Sequence, residues 1–300
     1  MKVLCFGSLN LDYVYAVDHI VRRGETEDSA GMSVNCGGKG LNQSIAIARA
    51  GIPVWHAGAV GEDGADLVGQ CECNGVNTSF VRTVEGRSGH TIIQVDKDGN
   101  NSIVLFGGAN RSMTREFIHE VIGSFDRGDM IILQNEINLL PVIIDEAYAQ
   151  GMQIVLNPSP YSDGLKACDL NKVSYFFLNE IEGEQMTGER EPEKILKAIH
   201  ERYKTAKVVL TLGEDGAMYS DGQSVCRQEA FRVKAVDTTA AGDTFSGYFV
   251  SALIRGLTPQ EGLALAARAA AMAVTKPGAL DSIPTLAEVQ LETEKEETSC

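Results

Sequence analysis

Basic residues are scarce in this chain. Lysine and arginine number 26 against 41 aspartates and glutamates, a formal charge of −15, and a surface of that sign repels nucleic-acid phosphates and anionic lipid alike. Neither nucleic acid nor membrane is expected as a partner. Long apolar runs are missing too: nothing approaches the ~18 apolar residues of a spanning helix, and Val3 to Phe6 is too short for the apolar core of a secretion signal. The expected location is cytosolic. The seven cysteines, Cys5, Cys36, Cys71, Cys73, Cys168, Cys226 and Cys300, include no C-x-x-C framework, which fits reduced thiols. Cys71-Glu72-Cys73 is the one close pair and lacks a second pair to complete a metal site. The five histidines fall into no metal-binding spacing. Aromatics supply only 6% of residues, but the 44% that are hydrophobic suffice for one sizeable core with a small appendage.

What is present centres on Val236 to Gly247, V-D-T-T-A-A-G-D-T-F-S-G. Ahead of it, Phe231 and Val233 alternate with charged residues and Val236 closes the run, the pattern of a half-exposed strand. Behind it, Phe245, Phe249, Ala252 and Leu253 recur at helical spacing as far as Gly256. The reading is strand, tight turn, helix. Ala240, Ala241 and Gly242 allow close backbone approach, and free amides at a helix start make an anion hole. Asp243 in the first helical turn is a candidate proton acceptor, or simply a carboxylate that complements the helix dipole.

Near the other end, Val3 to Phe6 reads as a short strand and Gly7-Ser8 as a turn. Leu9, Leu11, Tyr13 and Tyr15 then alternate with polar positions, so Asn10 and Asp12 share one face of an extended segment. Next comes C-G-G-K-G-L-N-Q-S-I-A-I-A-R-A-G, Cys36 to Gly51, a glycine-rich turn opening a helix. It is neither a phosphate-binding GK[ST] loop nor a G-x-G-x-x-G dinucleotide turn. Residues 90–106 carry two alternating apolar runs around Asp98-Gly99, a hairpin signal; with residues 12–17 and about 28–36 they can form a small sheet, which must cover something or pair with a partner. From about residue 115, Met130 to Leu133, Gln153 to Leu156, Tyr175 to Leu178 and Val208 to Leu210 read as parallel strands buried on both faces. Polar or small residues follow each, Gln134-Asn135-Glu136, Asn157, Asn179 and Thr211-Leu212-Gly213, where open α/β sheets bind ligands. Thr258-Pro259-Gln260-Glu261 is a capping box with proline at the first helical position, opening an alanine-rich helix that stops at Pro277-Gly278. Beyond Glu288 the acidic tail is expected to fray.

Two of these stretches carry a family likeness. D-T-T-A-A-G-D resembles the C-terminal signature of the ribokinase-like (PfkB) carbohydrate kinases, and G-G-K-G-L-N-Q-S, with Gly51 and Gly61 at their distances, resembles the N-terminal one. Both lie in the right order about 200 residues apart. Gly107-Gly108-Ala109-Asn110 is similar to a return segment of the same family. The resemblance implies an α/β fold, a central mostly parallel sheet flanked by helices with a small β-sheet lid. Residues 1–11, 38–89 and 108–300 would form the α/β domain and residues 12–37 and 90–107 the lid, through which some members dimerise.

It also implies roles. Asp243 would be the catalytic base, with Ala240, Ala241 and Gly242 forming the anion hole. Asn10, Asp12, Gly38, Lys39, Asn42 and Glu136 would hold the sugar. Asn179, Thr211, Leu212, Gly213, Glu214, Asp215, Gly216 and Gly242 would border ATP, and Glu182 of N-x-x-E would hold Mg²⁺ through water. Asp237, Thr239, Ala273, Lys276, Gly278 and Ser282 would bind K⁺, although Pro277 departs from the family's turn. Tyr248 stands where the family is usually small, and Ala267 would border adenine. The expected reaction is phosphoryl transfer from ATP to a small sugar, D-ribose first, with fructose, a sugar acid or a nucleoside as alternative acceptors and a non-catalytic sugar sensor as the alternative of another class.

Overall fold

The computed structural model describes residues 1–299, with side chains to residue 294. β1 (Val3–Phe6) lies between β4 (Val54–Val60) and β8 (Met130–Gln134), and β5 (Asn77–Thr83) closes the edge beyond β4. β9 (Gln153–Asn157), β10 (Tyr175–Asn179) and β11 (Lys207–Thr211) continue in parallel on the other side of β8. β12 (Ala217–Ser220) and β13 (Val225–Gln228) finish this nine-stranded sheet antiparallel.

The inner strands are apolar throughout because both faces are covered. Val3 and Cys5 of β1 face one buried cluster, Leu4 and Phe6 the other. The first cluster is capped by α1 (Lys39–Arg49), α2 (Ala65–Cys73), α7 (Ala241–Ile254) and α8 (Pro259–Ala273), which contribute Leu41, Leu67, Phe249 and Leu263. On the opposite face, α3 (Arg115–Ile122), α4 (Leu140–Gln150), α5 (Glu180–Thr187) and α6 (Pro192–Arg202) supply Phe117, Ile143, Met186 and Ile195. The chain winds from β1 toward β5 and, from β8, in the opposite direction toward β11. The carboxyl ends of β1 and β8 therefore flank the crevice where doubly wound sheets bind ligands.

β2 (Asn10–Ala16) leaves β1 after only Gly7, Ser8 and Leu9, which plants a second sheet beside that crevice. Its order is β3 (Gly31–Gly37), β2, β6 (Gly89–Val95), β7 (Asn101–Phe106), with β2–β6 parallel and the outer pairs antiparallel. Register puts Asn35, Asp12, Thr91 and Leu105 in one row and Val34, Tyr13, Ile92 and Val104 in the neighbouring row on the other face. Met32, Val34, Ile92, Val104 and Phe106 are exposed.

Several expectations need correction. No strand forms over 231–236: the Val236 amide donates to Val274 O at 2.7 Å, so the segment is tied to the loop after α8 rather than to a strand neighbour. That helix ends at Ala273, ahead of Pro277, although its capping box at Thr258 and Glu261 is present. The acidic tail does not fray at Glu288. It forms α9 (Leu286–Ser299), whose start is capped by Thr285 and Glu288. Tyr248 is fully buried and donates its hydroxyl to Pro284 O at 2.8 Å, so the large side chain serves packing. The Cys5, Cys36, Cys71, Cys73, Cys168 and Cys226 thiols are free, and Cys300 lies outside the described residues. No helix among the described residues is long and apolar enough to cross a membrane.

Candidate active site

The turn after β1 is built around close backbone contact. The Leu41 amide donates to Ser8 O at 2.9 Å, and a Cβ on Gly40 would stand 2.4 Å from the Ser8 nitrogen, so only glycine lets α1 start there. Gly38, at φ 97°, turns the chain into that helix. Ser8 Oγ donates to Glu136 Oε2, which also accepts the Lys39 amide at 3.1 Å, and Lys39 Nζ stands 3.9 Å from Glu136 Oε1. Glu136, just beyond β8, is thereby joined to the end of β1 across the switch point.

Asn10 and Asp12 share a face, as their spacing requires. The Asn110 amide donates to Asn10 Oδ1 at 2.7 Å, which leaves the Asn10 NH₂ free to donate elsewhere. Asn110 is itself fixed, since its Oδ1 accepts the Leu9 amide at 3.0 Å. Thr91 Oγ1 donates to Asp12 Oδ1 at 2.6 Å. Burial raises the Asp12 carboxyl above the usual aspartate range, against the pull of the Thr91 bond.

The D-T-T-A-A-G-D turn enters α7 through Ala240, a non-glycine residue in the left-handed region at φ 60°. The Ala241 amide is taken by Thr238 O at 3.2 Å, so the anion hole expected from the whole turn narrows to the amides of Ala240, Gly242 and Asp243. Asp243 itself is buried. Its Oδ2 accepts Asn42 Nδ2 at 2.9 Å and its Oδ1 accepts Gln43 Nε2 at 2.9 Å. Burial pushes the Asp243 carboxyl above the ordinary aspartate value, opposed by the Lys39 ammonium and the two amides. For Lys39 burial works against the charge, but Asp243, Glu136, Glu182 and Asp12 outweigh it and hold the ammonium above the usual lysine value.

A cavity of about 170 Å³ opens beside this carboxylate at the carboxyl ends of β9, β10 and β11. Lys39, Asn157, Asn179, Glu182, Thr211 and Gly242 line it with Asp243. Asn179 and Glu182 form a reciprocal capping box, with Asn179 Oδ1 accepting the Glu182 amide at 2.8 Å and Glu182 Oε2 accepting the Asn179 amide at 3.0 Å. The helix-cap role and a place at the cavity coexist in one residue. Of the Thr211 to Gly216 loop, Thr211 lines the cavity, Glu214 and Asp215 are exposed, and Leu212 and Gly216 are buried. The Leu212 and Ala267 side chains are buried in the two cores.

The expected cation residues are partly assembled. Asp237 Oδ1 accepts the Thr239 amide and hydroxyl at 2.9 and 2.6 Å, and Oδ2 accepts the Gly278 amide at 2.9 Å. Ala273 O is used by the Lys276 amide at 3.1 Å, and the buried Ser282 donates its hydroxyl to Ala279 O at 2.7 Å. Sequence reasoning gave no part in the site to Ser8, Gln43, Thr91 and Asn110, and named Gln134 only among the polar residues that follow the strands. All five stand inside quoted stretches, but their partners lie far off in sequence.

A carboxylate able to take a hydroxyl proton, set at the same helix end as amides able to hold an anion, is an arrangement suited to passing an anionic group to an alcohol. The chain matches the model of the pfkB family carbohydrate kinases over residues 1–286. It is 35% identical over 292 residues to a ribokinase of Haemophilus influenzae, covering 93% of this chain and 94% of that one. The ribokinase structure from Thermotoga maritima superposes with a TM-score of 0.88 at 32% identity, covering 98% and 99% of the two chains. A structure of Arabidopsis thaliana ribokinase complexed with ribose and ATP gives 0.83 at 27% identity, covering 97% of each. The chain thus belongs to the pfkB family of carbohydrate kinases.

Proposed function

We propose that this carbohydrate kinase transfers the γ-phosphoryl of ATP to D-ribose, giving ribose 5-phosphate, with Asp243 as the general base. The observation that carries the reading is the Asp243 carboxylate, braced on both oxygens by α1 and opening on a cavity that also meets the α7 N-terminus. The names of the full-length relatives and the ribose and ATP in the Arabidopsis structure support ribose as the acceptor. Asn10, Asp12, Gly38, Lys39, Asn42 and Glu136 offer the mixture of donors and acceptors that a small polyhydroxylated sugar needs.

In the reaction the sugar hydroxyl oxygen attacks the γ-phosphorus in line. The new O–P bond forms as the bond to the β,γ-bridging oxygen breaks, the hydroxyl proton passes to Asp243, and ADP leaves with the electron pair. Amides of Ala240, Gly242 and Asp243 hold the phosphoryl oxygens, and Lys39 adds a positive charge beside them. Asn179, Gly242 and the Thr211 to Gly216 loop, including Gly213, Glu214 and Asp215, border the nucleotide. Asn157, Asn179 and Glu182 line the cavity with hard oxygen donors; both Glu182 oxygens already accept from Asn179, at 3.0 and 3.1 Å, which suits Mg²⁺ held through water. Mg²⁺ there would neutralise charge on the β- and γ-phosphates. Asp237 with Thr239, and oxygens of Ala273, Lys276, Gly278 and Ser282, would hold K⁺ next to the anion hole.

The small sheet serves as a lid over the sugar, and its exposed apolar face of Val34, Ile92, Val104 and Phe106 is suited to pairing with a second copy. The test is ADP formation from Mg-ATP with D-ribose, 2-deoxy-D-ribose, D-fructose and nucleosides, with and without potassium. Selective turnover of ribose supports the reading. Turnover of a different acceptor alone would move the substrate, and no turnover on any of them would favour a sugar-sensing relative.

A further inference from the structure

Behind Asp243 runs a line of buried amides that the phosphoryl-transfer scheme leaves without a part. Gln43 Nε2 donates to Asp243 Oδ1 at 2.9 Å, and Gln43 Oε1 in turn accepts Gln134 Nε2 at 2.7 Å. Gln134 Nε2 also lies 3.6 Å from the Cys5 Sγ. The line therefore spans α1, the last residue of β8 and the middle of β1. Gln43 is 1% exposed and Gln134 0%, and among the described residues Gln134 Oε1 meets no partner. Gly7 makes room for it, since a Cβ there would stand 2.1 Å from that oxygen.

For packing alone this is a poor arrangement. An amide buried at the end of a central strand with one oxygen unsatisfied costs stability that a similarly sized apolar side chain would not. What the line provides is direction. A glutamine amide can present either its NH₂ or its oxygen to a neighbour. With Oε1 occupied by Gln134, Gln43 is held with its NH₂ toward the carboxylate. One donor from Asn42 and one from Gln43 then fix the plane of the Asp243 carboxylate, leaving each oxygen a further lone pair for the acceptor hydroxyl.

We propose that Gln43 and Gln134 are positioning residues for the catalytic base: Gln134 orients the Gln43 amide, and Gln43 holds the Asp243 carboxylate ready to take the proton. The inference rests on Asp243 acting as the base. The charged and titratable groups facing that carboxylate are Lys39 on α1 and Glu136 beyond β8, with the Cys5 thiol of β1 behind the amides. Burial lifts that thiol to about 11, so it is neutral where the enzyme works. Lys39 and Glu136 are untouched by changes at 43 and 134.

The experiment compares wild type, Gln43→Met, Gln134→Met and the double variant, measuring kcat, sugar KM, the pH profile and thermal unfolding of each. Ribose turnover by the wild type is measured first; its absence would sink the kinase reading itself, independently of the variants. Given turnover, Gln43→Met is expected to lower kcat by about ten- to a hundredfold with sugar KM within a few-fold, because a hydrogen bond to a charged group is lost. The acid limb should move to higher pH, since the carboxylate loses a donor. Gln134→Met should lower kcat less, and the double variant should match Gln43→Met alone, as residues acting in one chain are not additive. Unchanged kcat and pH profile in both folded single variants, or losses that simply multiply in the double variant, would overturn the proposal. If Gln43→Met does not fold, Gln43→Glu keeps the shape and sets a second carboxylate against Asp243. The acid limb should then rise by at least about one pH unit, and an unmoved limb would overturn the proposal equally.

Discussion

Asn42 Nδ2 reaches Asp243 Oδ2 at 2.9 Å across 201 residues of sequence. The first helix of the chain thereby holds the carboxylate carried by the seventh, and if Asp243 is the base, the packing of α1 on α7 bears on catalysis as well as on structure. Gly247 shows how close that packing is, because a Cβ there would lie 2.4 Å from Ala46 Cβ and 2.9 Å from the Ile47 nitrogen.

Gly247→Ala is therefore expected to destabilise the fold by about 1–3 kcal/mol, the usual cost of overpacking where backbone must move. It should also reduce kcat, since spreading the two helices draws Asp243 from Asn42 and Gln43. Chemical denaturation together with steady-state kinetics checks both. Unaltered stability would show that the helices part freely and that their contact does not locate the base.

The pH profile follows from the sign of the Asp243 shift. Its carboxyl is raised in the folded protein by burial, so the protonated, inactive form persists to higher pH than for a free aspartate. Activity should fall as pH drops through that raised value and reach its plateau above it. The acid limb of kcat/KM for the sugar, measured at saturating Mg-ATP, is thus expected above about 4, the ordinary aspartate value. Full activity held down to about pH 4 would contradict the assignment.

The lid offers a third test. Val104 is 64% exposed and shares a row with Val34, Tyr13 and Ile92. If two lids pair, Val104→Glu places a charge in the joint and should shift the protein from dimer to monomer in sedimentation, with the α/β body still folded by circular dichroism. A wild type that sediments as a monomer at micromolar concentration would remove the dimer from the account.

Much of the architecture was open to reading because buried parallel strands write themselves as short apolar runs. Met130 to Leu133, Tyr175 to Leu178 and Val208 to Leu210 all fall within strands. Asp243 stood out locally as a carboxylate in the first helical turn behind small residues, while the family resemblance supplied its expected role as base. Its neighbours were harder. Asn42, expected as a sugar contact, also donates to the Asp243 carboxylate, while Gln43 stood within the same motif without a role. Ser8 and Asn110 act on residues 128 and 100 positions away, a relation that no local pattern encodes. The opposite error occurred at Phe231 to Val236, where alternation suggested a strand. There the Phe231 ring lies 4.1 Å from the Arg268 guanidinium carbon and Val236 bonds to Val274, so tertiary contacts take the place of a sheet partner.

The most direct test of the whole account is Asp243→Asn, which keeps the shape of the side chain and removes its basicity. Sugar affinity by calorimetry and kcat with Mg-ATP and D-ribose would be measured side by side. The account predicts binding within a few-fold of wild type and a fall in kcat of about a hundred- to ten-thousandfold, the share a positioned base contributes. Turnover comparable to wild type in a folded, sugar-binding Asp243→Asn protein would contradict it.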